Sequence, residues 1–248
     1  MPLIRVAWDE DTAVVSFARP PVNAFNLSLI EELHARLDEL AVHVPRGGLV
    51  LGGEGDAFSA GIDFKEVPGY RDDQRASVIT HINAAVTVLY GLPTATVAAV
   101  NGHAIGGAFV MMLACDARLA ADTPCKLGLT EVSAGIPYPA CPMEVVRAEM
   151  EPAYRRHLVL SGELIDPHEA RARGLIDEVV AREELLGRAV ELARARAAAP
   201  AYAVVKEQLK RDALARMLEV LATGRDPLLD GSARAAPPPV APTPADRS

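Results

Sequence analysis

The chain has 248 residues, half of them hydrophobic, and a formal net charge of −8. That length and apolar content suffice for one sizeable core, while the acidic balance, with no Lys/Arg-rich run, speaks against a general nucleic-acid binder. No stretch is apolar for long enough to span a bilayer. Met1–Trp8 lacks the layout of a signal peptide, and Cys115, Cys125 and Cys141 show neither CxxC spacing nor an even count. The expectation is a reduced, cytoplasmic setting in which the thiols pack as small hydrophobes.

Leu3–Trp8 and Ala13–Phe17 alternate apolar and polar residues around Asp9-Glu10-Asp11, which predicts a hairpin. The prolines of Arg19–Asn26 forbid helix, and Ser28 is placed to cap a helix carrying Leu29, Leu33, Leu37 and Leu40. Leu49–Gly52 reads as a short buried strand, Gln74–Leu89 as a helix stopped by Gly91-Leu92-Pro93, and Thr94–Val100 as a strand entering the Asn101-Gly102 turn. Phe109–Ala114 continues as an apolar helix and Ala117–Ala121 as a strand. Helices are expected at Met143–Glu149, Ala153–Ser161, Pro167–Ala172, Glu183–Ala198 and Ala203–Leu221, with a strand at Ile176–Val180. The Pro/Ala-rich tail, residues 226–248, holds little that could form a core and is expected to be disordered. Strand–strand–helix repetition followed by a helical end predicts an α/β fold of ββα turns.

Two segments offer backbone N–H groups that small residues leave open to a ligand: Ala60-Gly61-Ile62-Asp63 and Gly106-Gly107-Ala108. The second opens a helix, whose positive end favours an anion. Glu131 has Leu127, Leu129, Val132 and Ile136 for neighbours. Apolar surroundings of that kind desolvate a carboxylate and raise its pKa toward that of a useful general base. There is no GxSxG elbow around Ser59 and no GxGxxG or GxxxxGK[ST] loop, and His103 has no partner spacing for a metal site.

Three segments, GEGDAFSAGIDFKEV (Gly53–Val67), NGHAIGGAFVMMLACD (Asn101–Asp116) and KLGLTEVSAGIP (Lys126–Pro137), together resemble the enoyl-CoA hydratase/isomerase family, the crotonase superfamily. The resemblance covers roughly residues 3 to 215. It implies a crotonase-like spiral of ββα units over residues 1–195 and a C-terminal helical region over 196–225 that builds a homotrimer or a dimer of trimers. It also implies an acyl-CoA substrate, with coenzyme A arriving as part of that substrate, no metal and no separate cofactor.

Carried over position by position, the resemblance makes Ile62 and Gly107 the oxyanion-hole donors and Glu131 the catalytic carboxylate. It places Val22, Ala24, Ala60, Gly61, Asp63, Phe64, Lys65 and Gly106 around the substrate, Val22 and Ala24 against the adenine region. Lys65 is either a phosphate contact or a solvated lysine. Lys206 and Lys210 belong to a helix that in the family can approach a neighbouring subunit's ligand, and are otherwise surface residues. The LPTATV–NGHAI and GIPYPACP segments are expected to shape the acyl pocket.

One position departs from the family pattern. Hydratases of the family carry a second glutamate on the helix after the glycines, where this chain has Val110, and no acidic residue lies between Asn101 and Asp116. Members that shift a double bond from Δ3 to Δ2 keep only the later glutamate. The resemblance therefore implies a Δ3-Δ2-enoyl-CoA isomerase with a single base. Hydratase-like activity, a decarboxylase or thioester hydrolase using Tyr138 or His103, and a catalytically weak acyl-CoA binding protein are the alternatives.

Overall fold

The computed structural model describes residues 1–230. The chain opens with an antiparallel hairpin of β1 (Ile4–Asp9) and β2 (Thr12–Phe17), closed where Asp9 faces Thr12. The proline loop follows, then α1 (Leu27–Val42), whose Leu29, Leu33, Leu37 and Leu40 are all buried. Asn26 rather than Ser28 caps this helix: its side chain accepts the Leu29 N–H at 3.0 Å. A cap needs extended backbone just before the first turn, and Ser28 already lies inside that turn.

From here the chain winds as a spiral that gives one strand to each of two sheets per turn. The first turn is β3 (Leu49–Gly53), β4 (Ala57–Ser59) and α2 (Asp72–Gly91). The second is β5 (Thr96–Val100), β6 (His103–Ile105) and α3 (Gly107–Ala114). The third is β7 (Ala117–Ala121), β8 (Leu127–Gly128) and the short α4 (Glu131–Ala134), continued by α5 (Ala140–Glu149) and α6 (Pro152–Ser161). Next come β9 (Leu164–Ile165), α7 (Pro167–Ala172), β10 (Glu178–Val180), α8 (Leu185–Ala197) and α9 (Tyr202–Thr223). The larger sheet has the order β1-β2-β3-β5-β7-β10, parallel after the hairpin; the smaller has the order β4-β6-β8-β9. The expected ββα spiral is therefore the architecture. The small sheet's strands, two or three residues long, are too short to leave a periodic signal and were not expected.

Both faces of the larger sheet are covered, as parallel strands require. Leu49, Leu51, Ala98 and Val100 point into the main core, while Val50, Val97 and Ala99 point outward against Leu185, Ala189, Val190 and Ala193 of α8. The thiols of Cys115, Cys125 and Cys141 are free and buried. Burial pushes Cys115 up to about 12 and Cys141 up to about 11, so both are inert packing groups.

The C-terminal region corrects two expectations. Lys206 and Lys210 are buried, not on the surface, and both ammonium groups meet one carboxylate: Lys206 Nζ lies 2.8 Å and Lys210 Nζ 2.7 Å from Asp116. They lock α9 onto the start of β7, with both ammonium groups turned inward. The expected tail boundary at 226 is also displaced, because Asp226 is fully buried and the chain from Arg225 to Asp230 folds back over α2 and α5. Residues 231–248 of the expected tail lie outside the described residues. Among the described residues, no helix is long and apolar enough to cross a membrane.

Candidate active site

The spiral brings the ends of β4, β6 and β8 side by side, and a cavity of about 70 Å³ opens beside them. Its wall includes Ala60, Ile62 and Phe64 after β4, Gly106, Gly107 and Val110 at the start of α3, and Thr130 and Glu131 at the start of α4. The three segments singled out in the sequence thus converge on one space. The GIPYPACP segment contributes Ile136, Pro137, Tyr138, Pro139 and Pro142, whereas LPTATV leads into β5 and NGHAI into β6, and neither is part of the wall. Ile79 and Ile82 of α2 and Leu228 complete it. These three were not anticipated, because nothing in a helix pattern or a terminal loop shows which cavity it will face.

Two glycines make the convergence sterically feasible. Gly61 adopts φ +74°, and a Cβ there would stand 2.4 Å from the Ile105 carbonyl oxygen. Only glycine lets the β4 loop come this close to β6. The same Cβ position is 3.6 Å from Gly107 N, so the backbone leading to Ile62 and the first N–H of α3 are neighbours. Gly106 adopts φ +58°, ψ −126° as the cap of α3.

The Ile62 segment is held by a parallel bridge to Phe25, in which Phe25 N–H donates to Gly61 O at 2.7 Å and Asp63 N–H donates to Phe25 O at 2.9 Å. This leaves the Ile62 N–H itself free, and the Gly107 N–H is likewise without an acceptor among the described residues. Two adjacent, unspent backbone donors beside an apolar cavity are what an oxyanion requires.

Glu131 is the first residue of α4 and is half-buried, with Oε2 fully buried and unpaired among the described groups. Burial raises its pKa, partly offset by the Glu131 and Thr130 backbone N–H groups and by the Tyr138 hydroxyl. The desolvating surface is the cavity wall, to which Ile136 belongs although partly exposed, with buried Leu127 and Leu129; Val132, counted as part of it in the sequence, is exposed and off the wall. Tyr138 Oη is also buried without a hydrogen-bond partner, and burial together with the adjacent Glu131 carboxylate pushes its pKa up, so it stays a phenol. Among the described residues that line the cavity, Glu131 is the one carboxylate, and Val110 is buried in the wall as an ordinary apolar residue.

The remaining expected residues sit around the site rather than in it. Asp63 is ion-paired with Arg19 at 2.7 Å; burial would raise its pKa, but Arg19 and the Lys65 and Glu66 N–H groups outweigh burial and lower it. Its carboxylate organises the loop and is not part of the cavity wall. Ala24 is buried beneath the loop and Val22 is exposed on it. Asn23, buried and at φ +52°, staples this loop to β4 through hydrogen bonds to Glu54, Ala57 and Phe58 carbonyls. Lys65 is exposed. His103 is exposed, its Nδ1 accepting the Lys126 N–H at 3.0 Å, and does not reach the cavity. Ser59 Oγ is spent on the Asn23 carbonyl at 2.7 Å.

The chain matches the family model for enoyl-CoA hydratase/isomerase over residues 9–228. It is 31% identical over 219 residues to a probable enoyl-CoA hydratase of Mycobacterium avium, covering 88% of this chain and 85% of that one. A probable enoyl-CoA hydratase of Bacillus subtilis is 30% identical over 233 residues, with 94% and 86% covered. Among solved structures, the human mitochondrial Δ3-Δ2-enoyl-CoA isomerase superposes with a TM-score of 0.82 at 26% identity, covering 94% of this chain and 92% of that one. A spiral core with two free backbone donors and a half-buried glutamate at one cavity thus coincides with these likenesses along nearly the whole chain, and the chain belongs to the enoyl-CoA hydratase/isomerase family.

Proposed function

We propose that this protein is an enoyl-CoA isomerase that shifts a double bond from Δ3 to Δ2 with Glu131 as its single base. The observation that carries the reading is the composition of the cavity wall: one carboxylate, with Val110 where a second would be needed to activate water. The Ile62 and Gly107 N–H groups hold the thioester oxygen as negative charge develops on it. Glu131 takes a proton from the carbon next to the thioester to give the dienolate, and returning that proton at the γ carbon re-forms the carbonyl and leaves the double bond at Δ2. The buried Tyr138 hydroxyl beside the carboxylate lowers its pKa and so favours the ionised base. The apolar wall keeps water from the dienolate.

No group beyond the coenzyme A of the substrate enters this scheme. Val22 and Ala24 border the adenine region, with exposed Lys65 available to a phosphate. The site belongs to a homotrimer or dimer of trimers in the cytoplasm.

The names of the curated relatives favour hydration instead, and Tyr138 beside the carboxylate favours thioester hydrolysis or decarboxylation as a second reading. A paired assay separates them. Purified protein is given 3-enoyl-CoA and 2-enoyl-CoA, with Glu131→Gln alongside. Conversion of the 3-enoyl to the 2-enoyl thioester without hydration, abolished by the substitution, is the expected result. Efficient hydration of 2-enoyl-CoA would overturn the isomerase reading, and so would release of free coenzyme A or carbon dioxide as the main reaction.

A further inference from the structure

We propose that the segment from Arg225 to Leu229 is the end wall of the acyl cavity and restricts the substrate to short acyl chains. Leu228 forms the wall and Asp226 is the positioning residue that holds it. The inference rests on reading the cavity as the acyl site of an acyl-CoA enzyme.

Asp226 is a fully buried carboxylate outside the catalytic machinery. It accepts hydrogen bonds from three directions: Asn83 Nδ2 of α2 at 2.8 Å and Ala140 N–H of α5 at 2.7 Å, both on Oδ2, and Leu228 N–H at 2.8 Å on Oδ1. Asn83 is itself fixed, since its Oδ1 accepts the Cys141 N–H at 3.0 Å. The Asp226 carbonyl closes the turn by accepting the Leu229 N–H at 2.9 Å and the Asp230 N–H at 3.0 Å. Charge-assisted bonds of this kind are the strong ones, and burying a carboxylate is costly unless they are all made. The result is that Leu228 is set into the cavity wall together with Ile82 and Pro142.

Behind that wall lies a second space of about 590 Å³. Pro227 and Arg225 line it from the same segment, Pro137 and Tyr138 line both spaces, and Arg147, Arg216 and Glu144 make its far side charged. Leu228 lines the first space and its chain neighbours Arg225 and Pro227 the second. On the inner side, about 70 Å³ is available, under half of the roughly 150 Å³ apolar cavity that accommodates a benzene ring. A chain of a few carbons fits there, and a longer one would have to displace Leu228 toward charged side chains.

The test uses saturated butanoyl-, octanoyl- and dodecanoyl-CoA, which bind without reacting, titrated calorimetrically into the full-length wild type, Leu228→Ala, Leu228→Phe and Asp226→Asn. The wild type should bind butanoyl-CoA best. Leu228→Ala should reverse that order, gaining about fourfold in affinity for each of the first methylenes added beyond four carbons. Leu228→Phe should weaken octanoyl-CoA further. Asp226→Asn, which turns donors against the Asn83 and Ala140 donors, should reproduce the Leu228→Ala profile. Wild-type affinity that climbs steadily from four to twelve carbons would overturn the proposal, as would a profile that Leu228→Ala leaves unchanged. Absence of binding at every length overturns the acyl-CoA reading and this inference together. The expected profile from a protein that does not isomerise 3-enoyl-CoA would uphold the wall and remove only the isomerase reading.

Discussion

Glu131 Oε1 stands 3.2 Å from the point where a Cβ on Gly106 would project, so any side chain at the cap of α3 would push the carboxylate from its place. Gly106 therefore meets two demands at once, a positive φ and an open face toward the base. Gly106→Ala should lower kcat by about 10²-fold, the effect of moving a reacting group by about 1 Å. The cost in stability should be about 1–3 kcal/mol, the strain of a side-chain-bearing residue at this backbone conformation. Steady-state kinetics with parallel urea unfolding checks both; unchanged kcat in a folded variant would remove the carboxylate from the chemistry.

The raised pKa of Glu131 makes a pH-dependent claim. A base must be ionised to take a proton, so kcat/KM should fall on the acid side at a pH above the usual 4.5 of a glutamate. Tyr138 acts to lower that pKa, and Tyr138→Phe should move the acid limb to still higher pH. The shift in the limb, rather than the size of the rate loss, distinguishes an electrostatic role for the hydroxyl from simple packing.

The same group opposes folding at neutral pH. With its folded pKa above its unfolded value, Glu131 contributes its most favourable term below about pH 4.5 and loses it as pH rises through the folded pKa. Glu131→Gln should therefore be inactive yet more stable at pH 7, by on the order of 1 kcal/mol, or about 2–4 °C in Tm. The gain should vanish near pH 4. Calorimetric scans at the two pH values decide it.

Much of this site was legible in the sequence because its determinants are local. Gly61, Gly106 and Gly107 mark backbone that must be open, and Glu131 follows them in an order that a resemblance could read. What escaped depends on long-range closure. Asp116 pairs with lysines 90 and 94 residues away, and Asp226 bonds to Asn83 across 143 residues. A Lys-x-x-x-Lys spacing on a polar helix looks solvated until its partner is known. A lone Asp ahead of a proline-rich tail looks like part of that tail. The short strands of the smaller sheet were equally silent, since Leu127–Gly128 and Leu164–Ile165 contain no alternation to detect.

Val110 offers a direct test of the one-base arrangement. It is buried in the cavity wall, so Val110→Glu would place a second carboxylate in the space that Glu131 occupies. Two carboxylates sharing a site push one pKa upward. The acid limb of isomerase activity should move to higher pH, and hydration of 2-enoyl-CoA should become measurable. A variant that folds, with neither change, would show that Val110 does not stand where a water-activating group belongs.

The Asp116 cluster carries the last prediction. Burial lowers Lys206 to about 8, against the pull of Asp116 in the other direction, while Lys210 Nζ shares the carboxylate and stacks 3.9 Å over the Tyr90 ring. Removing Asp116 leaves two buried ammonium groups facing each other, and Asp116→Asn should cost about 3–5 kcal/mol at pH 7. Lys206→Met should cost far less, because Asp116 keeps Lys210 and the Tyr202 hydroxyl at 3.1 Å, and the burial cost of one ammonium disappears. The two variants should also respond differently to base. The unfolded chain holds the Lys206 proton up to about pH 10.5 and the folded chain only to about 8, so this group adds stability as pH rises through that window. The rise should be larger in Asp116→Asn, whose lysines lack a counter-charge, and absent in Lys206→Met. Urea unfolding at pH 7 and pH 9.5 measures both differences. Equal losses in the two variants would mean that the cluster acts only as packing for α9.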